Sequence, residues 1–188
     1  MRKVTCSMGV SLDGYVVGPD GTFDWAAPDE ELFRFVTDEV RGVGVHLLGR
    51  RLYETMLYWE TTDQAPPLPA PMARQWARLW RELPKVVFST TLSAVQGNAR
   101  LASDGLAGEI ARLRAERAEG DIAIGGATLA SEAAALGLVD EYRPRVYPVL
   151  VGGGVPLFPH HGRRTDLELI GSRSFGSGAV HLRYRVVR

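Results

Sequence analysis

Cysteine is all but missing from this chain. Cys6 is the only one in 188 residues, so no disulfide within the chain can brace the fold, and its place in an alternating apolar run marks it as a small buried thiol. Net charge is missing too, with 22 basic residues against 22 acidic ones. That balance removes the global positive field a nucleic-acid backbone requires and leaves room only for local anion sites. No run approaches the roughly 18 apolar residues of a membrane helix. The N-terminus passes from Met1 through two basic residues into alternating positions, without the apolar core and small-residue cleavage site of a signal peptide. The expectation is a cytoplasmic protein with neither nucleic acid nor membrane as partner.

Several chemical signatures are absent as well. No GxGxxG follows the first strand, which disfavours the ordinary Rossmann dinucleotide fold. Neither HxE nor PCxxC occurs, so the chain carries no zinc deaminase centre. Adjacent His160 and His161 have no spaced Cys or carboxylate set beside them, and no metal site is expected. Repeats, low-complexity tracts and linkers are also lacking, and the length suits one core, so residues 1–188 read as a single domain.

What is present is a regular alternation. Residues 3–11 alternate with the period of a strand, and LDGYVVGPDGTFDW after them reads as a long irregular loop. Pro28, Asp29, Glu30 and Glu31 open a helix whose apolar side is Leu32, Phe35, Val36 and Val40. A strand over 43–48 ends at Gly49, and helical RRLYETMLY follows. The proline-rich QAPPLPAP marks a surface excursion, after which Trp76, Leu79, Trp80 and Leu83 recur at helical spacing as packing residues. Residues 85–89 form a third strand, 106–117 a helix and 121–124 a fourth strand. Gly125 and Gly126 open another helix ending near Gly137. A β-rich segment over 141–151 and two strands near 167–173 and 180–187 complete the chain. Strand–helix alternation followed by strands alone predicts an α/β fold with a mostly parallel central sheet, antiparallel C-terminal strands and helices on both faces.

Three strand ends carry unusual residues: LLGRRLYE at 47–54, VFSTT at 87–91 and IGGATLASE at 124–132. In an open α/β sheet the ligand lies beyond the carboxyl ends of the strands. Arg50 and Arg51 stand at a helix start, where free N–H groups and the dipole favour an anion. Ser89, Thr90 and Thr91 add hydroxyls, and the glycine pair lets backbone approach a bulky ligand. Phosphate, ribose phosphate and pyrophosphate together would use all three, as in a dinucleotide. His46, inside an apolar strand, reads as a hydrogen-bonded core histidine, and Gly152-Gly153-Gly154 as a turn near the rim of the site.

With SLDGYVVG at 11–18, LLGRRLYET at 47–55 and IAIGGATLASEAAALGLVDEYRPRVYPVLVGGGVPLF at 122–158, the chain resembles the dihydrofolate-reductase-like family, and within it the riboflavin-biosynthesis reductase branch. The resemblance covers nearly the whole chain and implies a single-domain, three-layer fold and an NADPH-dependent reductase. It further implies that Gly49, Arg50 and Arg51 meet the cofactor phosphates, that Ser89 and Thr90 approach the ribose phosphate, and that Gly125, Gly126, Ala127, Thr128 and Leu129 cover the pyrophosphate. Gly9 and Val16 would flank the nicotinamide. Leu52 stands where the family commonly has Thr, which removes one hydroxyl contact. On the substrate side the resemblance points to Glu30 on the first helix, with Asp29 adjacent, and to Asp13 and Trp25 in the cleft, whereas the dipole alone would account for the acidic triplet.

The implied reaction is hydride transfer to a small heterocyclic or sugar-linked substrate, as in reduction of a phosphoribosylaminouracil. The alternatives are a dihydrofolate or pterin reductase and a non-catalytic nucleotide-binding or regulatory protein. A homodimer is also expected, because the segment 142–150 is unusually apolar for a chain end and the resembled branch pairs through its sheet edge or adjoining surface, and an edge strand of that kind needs cover.

Overall fold

A computed structural model describes residues 1–158 and 164–188. The expectation for His160 and His161 therefore lies outside the described residues.

Among the described residues ten strands and six α-helices follow one another as β1 Val4–Ser11, β2 Tyr15–Val17, α1 Glu30–Val40, β3 Val43–Gly49, α2 Arg50–Met56, α3 Tyr58–Thr61, α4 Ala70–Glu82, β4 Lys85–Phe88, β5 Ala99–Leu101, α5 Leu106–Ala115, β6 Asp121–Gly125, α6 Ala127–Ala135, β7 Glu141–Tyr147, β8 Val155–Pro156, β9 Leu167–Ser174 and β10 Val180–Val186. Eight strands make one sheet in the order β5-β4-β3-β6-β1-β7-β10-β9, and β2 pairs with β8 apart from it. The strands from β5 to β7 are parallel, and β10 runs antiparallel to β7 and β9. Among the described residues no helix is long and apolar enough to cross a membrane.

The even residues of β1 explain one layer. Val4, Cys6 and Val10 pack with Ile110 and Leu113 of α5 and with Leu129, Ala130 and Ala133 of α6. Burial pushes the Cys6 thiol up to about 12, which leaves it inert as a nucleophile. On the opposite face, Leu48 and Val87 meet Phe33 of α1 and Trp76 and Trp80 of α4, the two indoles lying stacked 6.3 Å apart. Helices thus cover both faces, and the three-layer expectation holds.

The face of β1 and β7 beneath α1 is polar instead. Glu39 of α1 accepts from Ser7 Oγ at 2.8 Å and lies 3.5 Å from Arg145 and 3.8 Å from Arg143. Glu141 pairs with Lys3 at 2.5 Å, Arg143 at 2.7 Å and Arg183 at 3.0 Å. Burial works to raise the Glu141 carboxyl, but its three cationic donors outweigh it and bring it down to about 2. Buried charge is tolerated here because each carboxylate meets several donors.

The structure corrects several expectations. The loop after β1 contains β2 and a 3₁₀ turn at Asp24–Ala26. The helix over RRLYETMLY divides at Leu57, and the strand expected over 141–151 ends at Tyr147. Nor is that strand an edge: β7 lies between β1 and β10, and β9 is the outer strand. This segment therefore cannot pair with a second copy as a sheet edge. Instead of a hydrogen bond, buried His46 Nδ1 has no partner among the described residues, and the ring stands edge-on to Trp80 at 5.7 Å.

Candidate active site

Adjacent strands β3 and β6 end together, with Leu48 level with Gly125. Gly49 then caps α2 and Gly126 caps α6, neither through a side-chain hydrogen bond. A Cβ on Gly126 would lie 3.8 Å from Gly49 N, so the two helices begin side by side with their backbone N–H groups facing the same end of the sheet. Gly126 has φ +95°, a conformation that favours glycine. Gly125 is required for a different reason: a Cβ there would meet Leu52 Cδ2 at 2.5 Å and His46 Nε2 at 2.8 Å. Leu52 thus fills the space beneath the glycine pair. Ala127 opens α6, Thr128 is exposed in its first turn, and Leu129 is core, so only its backbone can meet a ligand.

Beside this cleft, Arg50 Nη1 donates to Thr91 Oγ1 at 2.8 Å and its Nε to Glu54 Oε1 at 2.8 Å. Ser89 Oγ lies 3.4 Å from Thr91 Oγ1 and accepts from the N–H groups of Thr91 and Leu92. Arg50 and the hydroxyls after β4 therefore form one cluster, with Thr91 rather than Thr90 in contact. Thr90 and Arg51 are exposed.

The second part of the site is built on β1. A Cβ on Gly9 would touch the Tyr147 ring at 3.2 Å and Ala26 Cβ at 3.6 Å. Trp25 stands edge-on to Tyr147 at 6.0 Å, and its indole Nε1 is buried with no partner among the described residues. Such donors are rare in native structures and call for an acceptor. Burial pushes the Tyr147 phenol up, the Arg145 guanidinium opposes this, and the Asp29 carboxylate adds to the rise. Val16 lies on β2 and packs against the core of β1 and β6.

The carboxylates separate by role. Glu30 is exposed at the start of α1, whereas Asp29 caps that helix by accepting from Leu32 N at 2.8 Å. Glu31 holds Arg173 at 2.9 Å and Gly176 N at 3.2 Å. Asp13 is already engaged by three donors. Its oxygens accept from Ser11 Oγ at 2.6 Å, Val151 N at 3.1 Å and Gly152 N at 2.7 Å. Sequence reasoning missed Tyr147, because its position level with Ser11 at the end of β7, facing a glycine of β1, appears only once the strands are paired. Among the described residues no cluster of three or more His, Cys, Asp or Glu could hold a metal.

Several known proteins are similar to this chain. The chain is 29% identical over 183 residues to the uncharacterized protein YyaP of Bacillus subtilis (strain 168), covering 97% of this chain and 94% of that one. A candidate riboflavin biosynthesis protein from Shewanella sp. PV-4 superposes with TM-score 0.79 at 25% identity, over 100% of both chains. The fold is also that of a diaminohydroxyphosphoribosylaminopyrimidine deaminase/5-amino-6-(5-phosphoribosylamino)uracil reductase from Thermotoga maritima, with TM-score 0.68, 16% identity, and coverage of 99% of this chain and 57% of that one. The sequence pattern of the RibD C-terminal domain matches residues 2–181, and with glycine-capped helices, a basic strand end and the three-layer sheet all in place, this chain belongs to the RibD C-terminal domain family.

Proposed function

We propose that this protein is an NADPH-dependent reductase that delivers hydride to a C=N or C=O bond of a small heterocyclic or sugar-linked substrate, of the kind handled by the phosphoribosylaminouracil reductases it resembles in fold. The observation that carries the reading is the pair of glycine-capped helix starts beside the Arg50–Thr91–Ser89 cluster. The residues fit the cofactor. Gly126 leaves backbone bare where a pyrophosphate needs close approach, Gly125 lets Leu52 pack beneath it, and the start of α6 offers N–H groups and a positive dipole end. Arg50 offers a planar cation for a ribose phosphate.

The bound cofactor supplies the hydride, and the protein orients it and excludes water. The backbone of Gly9 and Val16 of β2 would border the nicotinamide, the side-chain face of Gly9 being covered by Tyr147 and Ala26. Trp25 Nε1 provides a donor for a substrate oxygen or ring nitrogen. Tyr147 and Ala26 close the floor. The same reading includes a cytoplasmic homodimer in which a second copy covers the apolar side chains of β9.

The test is titration of NADPH and NADH against wild type and Arg50→Ala by fluorescence or calorimetry. A hydrogen bond to a charged partner contributes about 1.5–3 kcal/mol, so NADPH should weaken roughly 10- to 150-fold and NADH much less. Equal losses would show that Arg50 does not read the phosphate. NADPH oxidation with dihydrofolate, and separately with an aminouracil ribosyl phosphate, then identifies the substrate class. Tight NADPH binding with turnover of neither would favour a non-catalytic role.

A further inference from the structure

We propose that Asp13 is a positioning residue that locks the glycine loop after β7 against the end of β1 and so fixes the β2 backbone that carries Val16 in the wall of the cleft. The placement of a nicotinamide ring at that wall rests on the function proposed above, whereas the lock itself does not.

The loop needs an outside hold. Gly152, Gly153 and Gly154 have φ of +75°, +157° and +112°, and three successive glycines lose more backbone freedom on ordering than any other tripeptide. Side-chain packing does not compensate at the first two. A Cβ on Gly152 would meet nothing within 4 Å, and one on Gly153 only Pro19 Cγ at 3.9 Å. Polar contacts supply the hold instead. Asp13 Oδ1 accepts from Val151 N and Oδ2 from Gly152 N, while Ser11 Oγ donates to Asp13 and accepts from Tyr15 N at 2.9 Å. Leu12 N donates to Val149 O at 2.9 Å.

What the lock positions is visible two residues on. Gly154 is pressed so closely to β2 that a Cβ would lie 2.0 Å from Val17 O and 2.7 Å from Gly18 C. Leu157 N donates to Gly14 O at 2.9 Å. The loop thus supports the backbone of residues 14–18, which carries Val16. One exposed carboxylate closes this ring of contacts, and its donors hold the Asp13 carboxyl below its ordinary value, the Ser11 hydroxyl foremost. It stays ionised, and the lock stays closed, across the neutral range.

Asp13→Asn keeps the size but replaces one acceptor oxygen with an N–H₂ that must face a backbone N–H. Hydrogen exchange on the full chain without ligand should then quicken at Val151 and Gly152 by about tenfold or more, with α4 and α5 unchanged. NADPH should bind roughly 5- to 30-fold more weakly because the wall is no longer preorganised. At saturation the emission of the bound dihydronicotinamide should fall towards that of free NADPH, a signature that a loss of global stability alone would not produce. Ser11→Ala removes one donor and should give a smaller change of the same kind, which serves if Asp13→Asn folds poorly. Unchanged exchange at Val151 and Gly152 in both variants would overturn the lock. Faster exchange with wild-type NADPH affinity and emission would overturn its role in positioning. Failure of the wild type to bind NADPH would overturn the cofactor reading, while the ligand-free exchange result would still decide the lock.

Discussion

Arg50 meets any incoming phosphate already engaged. Its guanidinium is shared between Glu54 and Thr91, and Glu54 lies one helical turn away on α2 with 41% of its side chain exposed. A carboxylate at that distance competes for Arg50 and repels a phosphate, though water screens both effects. Glu54→Gln should therefore tighten NADPH about 2- to 5-fold and leave NADH within about twofold, and the gain should shrink as salt rises in the same titration. Arg50 and the glycine pair were legible in the sequence because strand, glycine and helix follow one another directly. Asp13 was legible only as a carboxylate near the cleft. Whether its lone pairs are free depends on Val151 and Gly152, more than 130 positions away, and no local pattern records that. The same holds for Trp25, where an indole in a loop gives no sign that its N–H is buried without an acceptor.

Among the elements, the long strands and helices could be read from their periodicity, and the short ones could not. β2, β5 and β8 span only two or three residues, too few for alternation to stand out. β7 was legible as a β-rich segment from Glu141, though its end at Tyr147 was not, and its charges point inward beneath α1, where Arg143 meets Glu141 and Arg145 meets Glu39. Two strands also set the acid response. Burial and the Lys85 charge bring His46 of β3 from its ordinary 6.5 down to about 4, so the unfolded chain binds the extra proton between these values and stability falls as pH drops through them. Glu141, ordinarily 4.5, titrates near 2 in the folded chain. The stability it confers is complete above pH 4.5 and is lost as pH falls towards 2. Urea midpoints followed by circular dichroism should hold level above pH 6.5 and then decline in two overlapping stages. His46→Leu should flatten the upper stage alone, and an unaltered slope between pH 6.5 and 4 would count against this assignment.

For the molecule as a whole, the layer count and the antiparallel end of the sheet were expected, but the order of strands was not, since pairing across the chain leaves no local trace. That order moves the exposed edge to β9. Leu167 and Leu169 are 40% and 52% exposed there, and Leu169 is level with Tyr184, itself level with Tyr142. Phe158 lies 5.5 Å from the Tyr142 ring. A row of apolar side chains crossing the sheet and ending at its open edge favours cover by another chain. Sedimentation at micromolar concentration should give a dimer for wild type and a monomer-shifted distribution for Leu169→Lys. A monomeric wild type would remove the dimer from the proposed function.

The central place of β1 bears on how the chain is made. Its neighbours are β6 and β7, whose residues are synthesised more than a hundred positions later, so the first strand to leave the ribosome is among the last to be enclosed. At about 5–20 residues per second, β1 waits on the order of 6–20 s for β6 alone. During that interval Val4, Cys6, Met8 and Val10 form an unpaired apolar ribbon, of the type that chaperones bind and that aggregates when left uncovered. Contacts so distant in sequence also slow the search for the native pairing. A nascent chain stalled before Glu141 would hold β1 with one side still open, and although β3, β4 and β5 can pair as soon as they are made, β1 joins them only through β6.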